Sequence, residues 1–208
     1  MGNEVITVIP TRGLVFARTL GALQMNGITE PIIVSGMSIP EAQNECVRAA
    51  MNYYSSYILF VEDDMYFPSD TLKQMIKLDA AITCVDYPMD NGYSTIARWG
   101  DDILWCGLGC TLVKRGVLKA MKDNWFETNY SYRINEDPFR LERIENPSKY
   151  GGHDINFCMK ARDLGFEIKQ LEGVEAEHLR CKNLVKSQYN TGSWEIEALP
   201  PVSKRQQY

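Results

Sequence analysis

Tyr57-Ile58-Leu59-Phe60-Val61-Glu62-Asp63-Asp64 sets the architecture of this chain. Five apolar residues closed off by acids have the length and composition of a strand buried on both faces. The C-terminal end of that strand presents three carboxylates where open α/β sheets bind their ligands. Carboxylates this close repel one another, and a site that gathers them usually gathers a cation as well. Oxygen ligands favour Mg²⁺ or Mn²⁺, ions that commonly carry diphosphates, so nucleotide chemistry is the first functional expectation.

The segments before the acids repeat a simple pattern. Residues 4–9 read as a strand stopped by Pro10 and the turn Thr11-Arg12-Gly13. Apolar spacing predicts a helix over 14–26, closed by Gly27, and a second strand over 31–35. Ser38, Pro40 and Glu41 mark the start of another helix, expected to run to about residue 54. This is β-α-β-α-β, the order of a doubly wound sheet.

Beyond the acids, a helix is expected over 69–78 and strands over 80–86 and 103–113, the latter interrupted by Gly107 and Gly109. A short helix over 116–122 follows. Residues 124–150 show little periodicity and read as a functional loop or lid. A helix over 154–164 and a strand over 166–171 lead to His178, and the tail, 183–208, is expected to be poorly ordered.

Composition narrows the function classes. With 208 residues the chain fits one domain, and 45% hydrophobic with 24% charged residues argues against disorder. A formal net charge of -5 supplies no general attraction to nucleic acid. No apolar stretch approaches transmembrane length and the N-terminus lacks a basic leader, so a soluble cytoplasmic protein is expected. Cys46, Cys84, Cys106, Cys110, Cys158 and Cys181 form no CxxC pair. Buried free thiols are expected, although Cys106 and Cys110 would share a face of one strand.

Five motifs, in order, carry a resemblance. They are Val8-Ile9-Pro10-Thr11-Arg12-Gly13, Glu62-Asp63-Asp64-Met65, Trp105-Cys106-Gly107-Leu108-Gly109-Cys110, Gly151-Gly152-His153-Asp154-Ile155-Asn156-Phe157-Cys158 with Leu164-Gly165-Phe166, and Glu177-His178-Leu179. Over residues 4 to about 180 the chain resembles glycosyltransferases of the GT-A fold, closest to the family-two-like group. The resemblance implies one GT-A (Rossmann-like) α/β domain over 1–182, with a mixed, mostly parallel central sheet flanked by helices. It also implies a nucleotide-sugar donor, most simply a UDP-sugar, a Mn²⁺ or Mg²⁺ cofactor, and transfer to an acceptor hydroxyl.

Individual roles follow from the same resemblance. Glu62-x-Asp64 stands where the family carries its DxD motif, with Asp64 the direct metal ligand and Glu62 and His178 in the metal set. Glu62 or Asp63 would meet the ribose or a metal-bound water. Pro10, Thr11 and Arg12 would cradle the base, with Arg12 reaching the diphosphate. Trp105, Gly107 and Gly109 would lie along the donor. Asp154 matches the catalytic acid-pair position, where the usual Glu-Asp reads His153-Asp154: it would be the base of an inverting enzyme or, in a retaining one, position acceptor or donor hydroxyls, and His153 would orient it or contact the acceptor.

Structural explanations compete at each position. Asp154 can simply complement a helix dipole, Arg12 can be a solvated turn residue, and Trp99 and Trp105 can be packing. Arg140-Leu141-Glu142-Arg143 reads as a solvated face. The acceptor is left open among a glycan, a small molecule, a protein and a modified DNA base. Trp125, Phe126, Tyr130 and Tyr132 are candidates to stack on it, and Arg133, Arg140, Arg143, Lys149, Arg180, Lys182 and Lys186 to form a basic rim. Two other readings stand beside glycosyl transfer. A nucleotidyltransferase would use a related sheet, but its glycine-rich basic loop is missing after the first strand. A catalytically silent sugar-nucleotide binder would need no base.

Overall fold

The computed structural model describes residues 4–89, 92–136, 139–147, 151–182 and 195–198. In chain order the elements are β1 (Val5–Pro10), α1 (Ala17–Met25), β2 (Ile32–Val34), α2 (Ile39–Ala50), β3 (Tyr57–Val61) and β4 (Met65–Tyr66). Next come α3 (Thr71–Leu78), β5 (Ile82–Cys84), β6 (Ala97–Trp99), β7 (Asp102–Trp105), β8 (Cys110–Lys114) and α4 (Arg115–Met121). The remainder are β9 (Tyr130–Glu136), β10 (Phe139–Glu145), α5 (His153–Asp163), β11 (Ile168–Gln170), β12 (Glu177–Lys182) and β13 (Glu195–Ala198).

A six-stranded sheet in the order β11-β5-β8-β3-β1-β2 forms the centre. β1 pairs in parallel with both β2 and β3, and β11 with β5, while β8 runs antiparallel to β3 and β5. All five residues of β3 are buried, as its apolar run requires. Alternation along that strand feeds two cores. Ile58 and Phe60 face Cys46, Val47 and Ala50 of α2 and Phe157 of α5, whereas Leu59 and Val61 face Ala22 and Leu23 of α1 and Met75 of α3. Each fully buried Leu, Ile or Phe contributes roughly 1.5–3 kcal/mol, so the strand is held firmly from both sides.

The antiparallel course of β8 has a consequence for the site. Its N-terminal end, entered from Gly107-Leu108-Gly109, lies beside the C-terminal ends of β3 and β5. The acids after β3, the segment after β5 and the glycine turn before β8 therefore meet at one sheet edge.

Several expectations are corrected. The strand over 103–113 is two strands of different sheets: β7 pairs with β6, β8 joins the central sheet, and Cys106 to Gly109 lie between them. Cys106 and Cys110 consequently belong to opposite cores. The helix expected to reach residue 54 ends at Ala50, because the Arg115 guanidinium takes the carbonyl oxygens of Met51, at 2.7 Å, and Tyr53. Residues 124–150 are not aperiodic: β9 and β10 form an antiparallel pair, with Ile134 opposite Leu141 and Tyr132 opposite Arg143. Trp125 and Phe126 are core residues, Phe126 stacked on Phe157 at 5.0 Å, and are not exposed for stacking on an acceptor.

The other expected helices and strands agree in kind, with ends displaced by at most three residues. Cys46, Cys84, Cys106, Cys110 and Cys158 are free and buried. Most of the tail lies outside the described residues, as do Lys149 and Lys186; within it Glu195–Ala198 pairs with β12. Among the described residues, no helix is long and apolar enough to cross a membrane.

Candidate functional site

The site grows from the end of β3. Glu62 leaves the strand with its N–H bonded to the Gly109 carbonyl at 3.0 Å, which fixes the first acid against the glycine turn. Three residues later β4 pairs with β12, placing Met65 opposite His178. The Leu179 N–H donates to the Asp64 carbonyl at 2.6 Å, and Arg18 bridges to Glu177 at 3.2 Å. This short bridge carries the His178 imidazole to the acids: its Nε2 is 2.9 Å from Asp64 Oδ2.

Glu62, Asp64 and His178 thus offer one ligand atom each, all within 4.8 Å of one another. Two carboxylates and an imidazole suit a divalent cation such as Mn²⁺. The electrostatics carry the mark of crowding. Burial first, then the charges of Asp154 and Asp64, push the Glu62 carboxyl up to about 8. Burial draws the His178 imidazole down, but the Asp64 hydrogen bond and the surrounding acids more than offset it, and the net direction is upward. A cation relieves both strains, since it replaces repulsion by attraction.

Asp63 stands outside this group. Its carboxylate meets the Thr11 hydroxyl at 2.5 Å, and its carbonyl accepts from the Phe16 N–H at 2.9 Å and the Thr19 hydroxyl at 3.0 Å. Burial pushes its carboxyl upward, with the Thr11 bond opposing. Asp63 therefore ties the end of β3 to the turn after β1. Thr11 and Pro10 are buried in that turn, and Thr11 Oγ1 accepts the N–H groups of Gly13 and Leu14 at 3.0 and 3.1 Å. Arg12, next to them, is exposed.

On the other side stands Asp154, in the first turn of α5. His153 Nε2 lies 3.2 Å from its Oδ1. Asp154 is the first charge after burial that raises Glu62, so the two carboxylates lie close enough to repel one another. The helix start is shaped by Gly151 and Gly152, both at positive φ, of 70° and 73°. A side chain at Gly152 would also meet Ser131 Oγ at 3.2 Å, so β9 packs against this turn. Asn156 fastens the contact, donating to the carbonyls of Glu127 and Tyr130 at 2.7 Å each.

Two residues went unnoticed in the sequence. Tyr87, after β5, is buried; its hydroxyl accepts the Gly109 N–H at 2.8 Å and its ring meets His178 edge-on at 5.9 Å. It supplies a packing reason for the glycine pair, because a Cβ at Gly107 or Gly109 would sit 2.5 Å from the Tyr87 hydroxyl. A GxG turn with a tyrosine upstream was the only sequence signal for it. Gln43, on the inner face of α2, approaches Asp154; a lone polar residue among the buried positions of an amphipathic helix was its signal.

The aromatic and basic candidates distribute unevenly. Trp105 is partly buried against the core, and Trp99 stacks on Phe139 at 4.0 Å. Arg133, Arg140 and Arg143 are exposed, with the Arg143 guanidinium 3.5 Å from the centre of the Tyr130 ring.

No protein-family model matches this chain, and no curated protein matches its sequence. Solved structures do. A197 from STIV superposes with a TM-score of 0.58 at 19% identity, over 84% of this chain and 85% of that one. S. aureus TarS 1-349, in complex with UDP-GlcNAc, gives a TM-score of 0.49 at 14% identity, over 82% of this chain and 56% of that one. A putative glucose-1-phosphate thymidylyltransferase from Bacillus anthracis gives 0.49 at 10% identity, over 85% and 89%. Identities this low speak to architecture alone. The chain has a GT-A-like α/β fold, as its motifs implied.

Proposed function

We propose that this chain is a divalent-metal-dependent glycosyltransferase that moves a sugar from a nucleotide-sugar donor, a UDP-sugar, to an acceptor hydroxyl. One observation carries the reading: Glu62, Asp64 and His178 converge at the end of β3 with Asp154 facing them. Metal ligands on one side and a carboxylate on the other are what such a transfer needs. The cation, Mn²⁺ or Mg²⁺, would be held by these three residues and would offset the charge on the departing diphosphate.

The chain's own residues do the rest. Asp154 accepts the proton of the acceptor hydroxyl as that oxygen forms its bond to the sugar C1. The bond from C1 to the diphosphate breaks, and its electron pair leaves with the nucleotide. His153 orients Asp154 through the 3.2 Å contact. Pro10, Thr11 and Arg12 border the nucleotide, with Trp105, Gly107 and Gly109 on the donor side. The β9–β10 pair, tied to the start of α5 by Asn156, is the acceptor platform. A nucleotidyltransferase would require a basic glycine-rich loop after β1, where the chain has only Thr11-Arg12-Gly13.

Calorimetric titration with UDP, GDP and CDP, with Mn²⁺ or with chelator, tests this reading. Metal-dependent binding of UDP is the expected result. Indifference of all three nucleotides to the metal would remove the donor assignment and favour a silent binding protein.

A further inference from the structure

The inner face of α2 buries Ala42, Gln43, Cys46, Val47 and Ala50. Four of these are small or apolar; Gln43 is the exception, at 1% exposure. Its amide nitrogen lies 3.5 Å from Asp154 Oδ1, and its Oε1 is buried with no hydrogen-bond partner. A buried amide with one end unsatisfied costs free energy that a methionine of similar size would not. Packing alone therefore does not account for a glutamine at this position.

Asp154 receives Gln43 and His153 on the same oxygen. Gln43 Nε2 and His153 Nε2 approach Oδ1 at 3.5 and 3.2 Å, while no described residue engages Oδ2. We propose that Gln43 is a positioning residue which, together with His153, holds Asp154 by Oδ1 and leaves Oδ2 to take the proton of the acceptor hydroxyl. This assignment rests on the glycosyl-transfer reading for its chemistry and on the geometry alone for the tether.

Gln43→Met removes the amide and keeps the volume. It should melt at or above the wild-type temperature, because the unsatisfied oxygen goes too. Turnover of UDP-sugar should fall about ten- to a hundred-fold with the donor KM unchanged, the signature of a misaligned base. The chain has only two histidines, so nitrogen-15 NMR resolves each ring, with His153→Asn as the assignment control. With His153 left as the only described contact on Oδ1, its ring nitrogen-15 signals should change in Gln43→Met, while those of His178 stay in place. Unchanged kcat, or His153 ring signals identical to wild type, would overturn the proposal. Should Gln43→Met not fold, Gln43→Glu keeps the length and presents a donor only when protonated. Its turnover should then fall with rising pH more steeply than wild type, and a parallel pH profile would overturn the proposal. If the wild-type protein turns over no UDP-sugar, the transferase reading fails, yet the His153 signal still decides whether Gln43 holds Asp154.

Discussion

Two aspartate–histidine pairs of the same composition lie near one another in this domain, and the proposed function gives them different tasks. Asp64 and His178 meet at 2.9 Å, Asp154 and His153 at 3.2 Å. The first pair hangs from strand ends, next to Glu62, and its imidazole is drawn upward by the acids around it. The second sits on the first turn of a helix, beside the neutral amide of Gln43. Crowded carboxylates at a sheet edge ask for a cation; a single carboxylate steadied by an imidazole and an amide is suited to moving a proton. Identical side chains thus acquire separate chemistry from the charges packed against them.

Substitution at each pair separates these tasks. Asp64→Ala should lower transfer by about a thousand-fold and abolish metal-dependent UDP binding without unfolding the chain. Steady-state kinetics alongside a melting curve reads both. Asp154→Asn should lower turnover about a hundred-fold while leaving Mn²⁺ and UDP binding intact. Equal loss of nucleotide binding in both variants would collapse the distinction.

Acidity separates them again. Burial and the neighbouring Asp154 and Asp64 charges raise Glu62 from its ordinary 4.5 to about 8. Its contribution to stability is therefore full below 4.5 and lost as pH rises through about 8. His178, raised above 6.5, likewise stabilises below that value and ceases to do so as pH climbs through its raised one. A cation needs both groups deprotonated, so its affinity moves the other way. Mn²⁺ should bind about tenfold more tightly per pH unit for each proton released between pH 6.5 and 8. Calorimetry in buffers of different ionisation enthalpy counts those protons. A flat affinity over that range would mean that neither Glu62 nor His178 is a ligand.

Tyr87, wedged between His178 and the glycine turn, gives the smallest effect. Tyr87→Phe leaves the buried Gly109 N–H without its acceptor and should cost about 1 kcal/mol, measured by denaturant unfolding. Metal binding should weaken slightly, and Asp154-dependent steps should not change.

The sequence was most legible where one physical rule dominated. Five apolar residues before three acids could only be a buried strand with charges at its end, and β3 is that. The β-α-β-α-β start followed from equally plain periodicity. The β9–β10 pair was missed although Tyr130, Tyr132 and Ile134 alternate with Ser131, Arg133 and Asn135, because the run is poor in aliphatic residues and half-buried strands blur the pattern. The end of α2 was misplaced because Arg115, far along the chain, takes the carbonyls of Met51 and Tyr53 just beyond it, a tertiary effect no local rule contains. At the site, Glu62, Asp64 and His178 were chosen from the motifs, and their convergence depends on the β4–β12 bridge. Tyr87 and Gln43 left only weak local signals, because each acts through a partner distant in sequence.

The most direct measurement is Mn²⁺ binding by electron paramagnetic resonance in wild type, Asp64→Ala and Asp154→Asn. If the two pairs are divided as described, wild type and Asp154→Asn bind one Mn²⁺ alike, and Asp64→Ala binds none. Retention of the ion by Asp64→Ala, or its loss from Asp154→Asn alone, would contradict the assignment of the metal to the strand-end pair.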